Sequence, residues 1–147
     1  MEIVQLESIQ LKGISVRTRN SNEMDPLTAK IGSLWERFYN ENAKHLNSNS
    51  SVYGVYYSYE SDATGEFNVL AGSTFENVGS ELSKVSTEKG KYMVFSKEGE
   101  MPGAVIEAWQ EIWSFFSKSE CSYNREYLTD FEKYIGTNKV EVYIGIK

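Results

Sequence analysis

The sequence predicts an α+β fold: two β-α-β-β halves related by a pseudo-twofold axis, forming an antiparallel sheet with two main helices and a central cleft. Three observations lead there. First, residues in the first half recur 78 positions later: Ile14 and Val16 match Tyr92 and Val94, and Tyr53 and Tyr56 match Phe131 and Tyr134. Second, two stretches carry apolar residues at helical spacing and obey the same offset. Leu27, Ile31, Leu34, Trp35 and Phe38 match Val105, Trp109, Ile112, Trp113 and Phe116. Third, the other apolar runs are short and alternate with polar residues, as strands do. Amphipathic helices resemble one another by construction, so the weight lies on one offset holding in a strand, a helix and a second strand.

In order along the chain, residues 2–19 read as one strand, with Gly13 at a bend. Asp25-Pro26 reads as an N-cap followed by proline at the first helical position, where its missing N–H costs nothing. The helix then runs to about Ala43, and residues 47–51 form a polar loop. Residues 52–60 and 66–75 read as a hairpin around the turn at 61–65. Residues 76–90, polar and holding Gly79 and Gly90, read as the connector between halves. The second half repeats the order. Residues 91–97 are a strand and 98–103 a turn. The helix that follows carries Val105, Ala108, Trp109, Ile112, Trp113 and Phe116 on its apolar face. Residues 117–125 read as a loop, and residues 129–135 and 140–146 as strands around 136–139. The last strand reads as a sheet edge suited to homodimerisation. One domain is expected over residues 1–147, with half-repeats at about 1–75 and 91–147.

Composition excludes several function classes. The net charge is −6, and no basic stripe marks a nucleic-acid binder. Met1 to Gln5 carry no basic region and no apolar run follows, so neither a signal peptide nor a membrane span is expected, and the location expected is cytoplasmic. Cys121 is the sole cysteine, which rules out an internal disulfide and reads as a free structural thiol rather than a nucleophile. His45 is the sole histidine and has no partner at metal-ligand spacing, so no metal or cofactor is expected. No phosphate-binding glycine loop or nucleophile elbow is present. Ten Tyr, seven Phe and three Trp exceed what a core of this size needs, and tyrosine suits an apolar wall that must keep a polar handle.

The site reading starts where the copies differ. Gly54 in Tyr-Gly-Val-Tyr faces Glu132 in Phe-Glu-Lys-Tyr across the offset, and Ile31 faces Trp109. Strand alternation puts Glu132 and Tyr134 on one face and Phe131, Lys133 and Ile135 on the other. By itself that pattern fits a solvent-facing glutamate. Glycine at the equivalent position leaves room for a guest beside the acid. A buried acid without a partner is costly, so a bound cation would compensate it. Candidate binding residues are Glu132, Tyr134, Tyr56, Trp109, Gly54, Trp113 and Tyr57, with Tyr59 ranked below them. Trp35 and Trp113 match each other, which favours core for both, whereas Trp109 has no aromatic counterpart and is the better ligand contact.

These residues resemble a known family. Leu11 to Arg17, Tyr53-Gly54-Val55-Tyr56-Tyr57, Leu70-Ala71-Gly72 and Asp130-Phe131-Glu132-Lys133-Tyr134 are similar to segments of the GyrI-like domain, the effector-binding domain of AraC-type and MerR-type multidrug regulators. The last segment is the most specific. The resemblance covers essentially the whole chain. It implies a pseudo-symmetric domain whose cleft binds amphipathic, often cationic, small molecules, with Glu132 meeting the positive charge. No DNA-binding helix-turn-helix is found, so the chain is expected to be a stand-alone member, neither binding nucleic acid itself nor entering a membrane. Two other readings stay open: a hydrolase of reactive small molecules using Glu132 and Tyr134, and a protein-interaction module that modulates gyrase.

Overall fold

The computed structural model describes residues 2–46, 51–74 and 82–147. The expected loop at 47–50, Phe75 and the connector's first residues, 76–81, lie outside the described residues. Eight strands form one antiparallel sheet: β1 (Glu2–Leu6), β2 (Gln10–Thr18), β3 (Val52–Tyr57), β4 (Phe67–Ser73), β5 (Ser83–Ser86), β6 (Gly90–Glu98), β7 (Arg125–Ile135) and β8 (Lys139–Ile146). A short helix α1 (Asn20–Glu23) and the helix α2 (Ile31–Asn42) follow β2, and α3 (Gly103–Ser117) follows β6.

The strands lie in the order β1-β6-β8-β7-β3-β4-β2-β5. Exchanging each strand for its counterpart in the other half returns the same order reversed. The pseudo-twofold therefore passes between β7 and β3. At that junction Gly54 pairs directly with Glu132. The offset of 78 also equates these two residues, so the axis runs through this pair.

The expected β-α-β-β order is recovered in β2-α2-β3-β4 and β6-α3-β7-β8, with three departures. Residues 2–19 form two strands: β1 pairs with β6 of the second half, whereas β2 pairs with β4 of its own. The connector reciprocates, because β5 within it pairs with β2 of the first half. Each half thus lends an edge strand to the other. The final strand, β8, is not an edge. It is paired on both sides, to β6 and β7, so it has no free ladder to offer a partner.

The first helix begins later than its proline suggests. The Asp25 carboxylate accepts the Leu27 N–H at 2.9 Å and the Asp25 carbonyl accepts from Thr28 and Ala29, which closes a turn around Pro26. Glu23 then reaches across this turn and accepts the N–H groups of Lys30 and Ile31, satisfying donors that a helix start leaves unpaired. Leu27, expected on the apolar face, is consequently left exposed.

Alternation along the strands sorts the core into two layers. On one face, α2 buries Leu34 and Phe38 against Ile14, Phe67, Val69 and Ala71. On the same face, α3 buries Ala104, Ala108 and Ile112 against Met93, Phe95, Val142 and Ile144. The opposite face is closed by Leu11, Tyr53, Val55, Tyr92 and Phe131. Each helix rests on the outer strands of its own half, α2 on β2 and β4 and α3 on β6 and β8. The space over β3 and β7 between them is the cavity described next.

Candidate functional site

A cavity of about 860 Å³ lies over the pseudo-twofold axis. Ile31, Trp35 and Tyr39 of α2 form one wall, and Val105, Trp109 and Trp113 of α3 form the other. Tyr56, Phe67, Glu132 and Tyr134 make the floor. α3 meets the sheet through Ala104, Ala108 and Ile112. Phe115 and Phe116 pack against the core beside Phe95, while Trp109 and Trp113 turn to the cavity. Trp35, expected in the core with Trp113, does pack against the core cluster of its half. Both line the cavity, and Trp113 is 42% exposed at its rim.

Glu132 is 2% exposed. Its two oxygens accept three hydrogen bonds, from the Tyr134 hydroxyl on Oε1 and from the Tyr56 hydroxyl and Trp109 Nε1 on Oε2, each at 2.7 Å. Tyr56 and Tyr134 are equivalent across the axis, so both halves donate to one carboxylate. Trp109 supplies the third donor, which Ile31 in the other half cannot. Burial pushes the Glu132 carboxyl above its ordinary range, and the three donors pull against that rise. Burial and the neighbouring carboxylate push the Tyr56 and Tyr134 hydroxyls well above theirs, so both remain neutral donors. Among the described residues, no cationic side chain pairs with Glu132.

Gly54 has a different place from the one expected. A Cβ built there would stand 2.7 Å from Glu132 Oε1 and 3.0 Å from Trp35 Cζ2. The missing side chain makes room for the carboxylate itself and for Trp35, not for a guest, and Gly54 does not line the cavity. Tyr57 also falls outside it. Alternation from Tyr56 turns Tyr57 to the opposite face, against the cluster containing Val55 and Phe131. Tyr59, beyond the end of β3, does line the cavity, as do Tyr56, Trp109, Trp113, Glu132 and Tyr134.

A second polar group in the wall is absent from the expected site. β7 begins at Arg125, earlier than expected, and bulges before Asp130: Arg125 pairs with Ile146 and Asp130 with Ile144. Arg125 and Asp130 meet through Nη2 and Oδ2 at 2.7 Å, both buried. Asp130 also accepts from the Tyr59 hydroxyl and from the Gly145 N–H at 2.8 Å. Within the bulge, Tyr127 adopts a left-handed backbone with φ 56° and lays its ring 4.5 Å from the Arg125 guanidinium. Arg125 lines the cavity and also borders a smaller groove of about 480 Å³ beside Tyr123 and Lys147. No sequence signal marks this cluster, because the bulge that gathers it has no periodicity.

Among the described residues, no helix is long and apolar enough to cross a membrane. Glu132 is hydrogen-bonded on both oxygens and walled by aromatic rings.

Comparison with known proteins places this geometry among relatives. The sequence profile of the Cass2 family, described as integron-associated effector binding protein, matches residues 2–146. YobU of Bacillus subtilis (strain 168), whose name assigns it provisionally to transcriptional regulation, is 27% identical over 99% of this chain and 96% of its own. An integron cassette protein from the mobile metagenome of Vibrio cholerae superposes with a TM-score of 0.92 at 44% identity, covering 99% of this chain and 95% of that one. SAV2435, in a structure bound to tetraphenylphosphonium, superposes with a TM-score of 0.75 at 20% identity over 99% of this chain and 93% of its own, a likeness of fold.

Proposed function

This chain belongs to the Cass2 family of integron-associated effector binding proteins, and we propose that its effectors are amphipathic organic cations held in the aromatic cavity with Glu132 as counter-ion. The observation that carries this reading is a buried carboxylate at the cavity floor with three neutral donors and, among the described residues, no cationic partner. A charge in a low-dielectric space is felt strongly, and it is felt by any cation in the cavity, with or without direct contact. The walls suit the same guest. The faces of Trp35, Trp109, Trp113 and Tyr39 attract cations by about 0.5–2 kcal/mol each and accept flat ligands without demanding one shape. Binding to SAV2435, a protein of the same fold, of a lipophilic cation supports the class of ligand.

The test uses two ions of one shape and opposite charge. Tetraphenylphosphonium and tetraphenylborate are titrated against the wild type and Glu132→Gln, with tryptophan fluorescence as readout, since all three tryptophans line the cavity. The wild type is expected to bind the phosphonium and reject the borate, and Glu132→Gln to lose most of that discrimination. Equal binding of the two ions by the wild type, or unchanged discrimination in Glu132→Gln, would sink the counter-ion role.

A further inference from the structure

Glu132 lines the cavity, but its oxygens are already engaged. Only 2% of the residue is exposed, and Oε1 accepts one hydrogen bond and Oε2 two. Oε1 also lies against Gly54, so close that a Cβ there would stand 2.7 Å away. A guest over the floor meets the rings and hydroxyls of Tyr56 and Tyr134 and the indole of Trp109 before it meets the acid. The field of a buried carboxylate still reaches it across a low-dielectric space.

The other polar groups of the lining are engaged in the same way. Glu23 accepts the Thr18 hydroxyl and the N–H groups of Lys30 and Ile31. Tyr59 donates to Asp130, which also takes Arg125 and the Gly145 N–H. Arg125 has donors only. The side-chain acceptors left, on Asn20, Tyr39, Gln110 and Thr137, belong to half-buried or exposed residues, where water serves them as well. Among the described residues, the deep part of the cavity therefore offers aromatic faces and two neutral phenol oxygens.

That inventory separates cations of equal charge. A primary ammonium brings three N–H donors, which water satisfies. Buried among too few acceptors, it loses those bonds without replacement, and hydrogen bonds of a charged group are strong ones. A quaternary ammonium or a phosphonium has no donor to strand, and aromatic faces attract its charge directly. Resting on the cation reading above, we propose that the cavity selects fixed-charge onium guests, with no N–H on the charged centre, over protonated amines of the same body, because the donors around Glu132 fill its oxygens. Tyr134 is the residue that sets this specificity: among the described residues, its hydroxyl alone donates to Oε1.

Pyrenylbutylamine and its N-trimethyl derivative share one body and, at about pH 8, one positive charge, since an alkylamine stays protonated there. Their affinities are measured by fluorescence anisotropy for the wild type, Tyr134→Phe and Glu132→Gln, with thermal unfolding recorded for each. The wild type is expected to bind the trimethyl guest at least about tenfold more tightly, the scale of one unreplaced charge-assisted hydrogen bond. Tyr134→Phe uncovers an acceptor position on Oε1, so the ammonium is expected to regain about tenfold relative to the trimethyl guest. Burial of the extra methyl groups also favours the trimethyl guest, but that contribution does not move with the hydroxyl. A wild-type ratio of one, or a ratio in favour of the ammonium, overturns the selection without any variant having to fold. So does a ratio unmoved in folded Tyr134→Phe. Glu132→Gln separates this from the parent reading. If it weakens both guests while the wild-type ratio is one, only the selection fails. If it leaves both guests bound as before, the counter-ion reading fails as well.

Discussion

Gly54 and Glu132 are equivalent by repeat and are also direct partners across the β3–β7 ladder, so the pseudo-twofold passes between them and the two side chains compete for one position. A Cβ on Gly54 would lie 2.7 Å from Glu132 Oε1, a separation that carbon and oxygen do not tolerate without movement. The asymmetry of the site is therefore steric before it is chemical. One side of the axis must be empty for the other to carry an acid.

Gly54→Ala is expected to destabilise the fold by about 1–3 kcal/mol, as overpacking of a filled core does, because the obstructing carboxylate is tied by three bonds. Combining it with Glu132→Gly, which empties the opposite position, should recover most of that loss of packing. Urea denaturation of the single and double variants checks this. Equal stability of Gly54→Ala and wild type would show that the carboxylate swings aside freely.

The pH dependence follows from the raised carboxyl of Glu132. A carboxyl free in the unfolded chain titrates near about 4.3, so the folded state binds this proton more tightly than the unfolded one. Its contribution to stability is complete below the unfolded value and is lost as pH rises through the folded one. In ligand-free protein, Glu132→Gln lacks this loss. The melting temperature of Glu132→Gln relative to wild type is expected to climb as pH rises from about 4 across that range. Differential scanning fluorimetry in a pH series decides it, and a constant gap would contradict the buried, raised carboxyl.

Tyr56→Phe and Tyr134→Phe each remove one donor from Glu132 and should act alike, since the axis relates them. Loss of a hydrogen bond to a charged group weakens the ionised form by about 1.5–3 kcal/mol. On the counter-ion reading cation binding requires that form, so the midpoint of tetraphenylphosphonium affinity against pH is expected to move upward in both variants. Isothermal titration across pH reads the midpoint, and an unmoved midpoint in either variant would break the link between hydroxyl and carboxylate.

Removing Arg125 alone leaves Asp130 buried without its counter-charge, a loss of about 3–5 kcal/mol for pairs of this kind. Arg125→Met is therefore expected to be much less stable than Arg125→Met/Asp130→Asn, in which neither charge remains. Guanidinium unfolding of the two variants distinguishes this pair from an ornamental one, which would show no difference between them.

Much of this arrangement is legible in the order of the amino acids. The offset of 78 residues locates the halves, and alternation puts Glu132 and Tyr134 on the face opposite Phe131, which the structure shows to be the helix-bearing one. Alternation fixes a residue's face but not its strand's partner. That is why β1 and β5, short strands paired across the repeat, read as part of a longer strand and a connector. The start of α2 depends on Glu23 reaching back over a turn that Asp25 closes, a contact unmarked by helical spacing, and so Pro26 is a misleading signal. Tyr57 and Gly54 are suggested by closeness to the acid and its equivalent along the chain, whereas the cavity is selected by face and by free volume. Arg125 sits behind a bulge and joins the site only when residues 126–129 are looped out.

The crossed placement of β1 and β5 bears on how such a molecule comes into being. A half on its own would lack the strand that closes its edge, and two identical halves would supply it to one another as an exchanged dimer. Such a dimer must show the same residue twice at its centre, where two glycines fit and two glutamates do not. Joining the halves in one polypeptide lifts that constraint: the symmetric scaffold persists while its centre becomes free to hold a single charge. The fused chain can therefore hold a lone acid at its centre, which neither half could do as part of a symmetric pair.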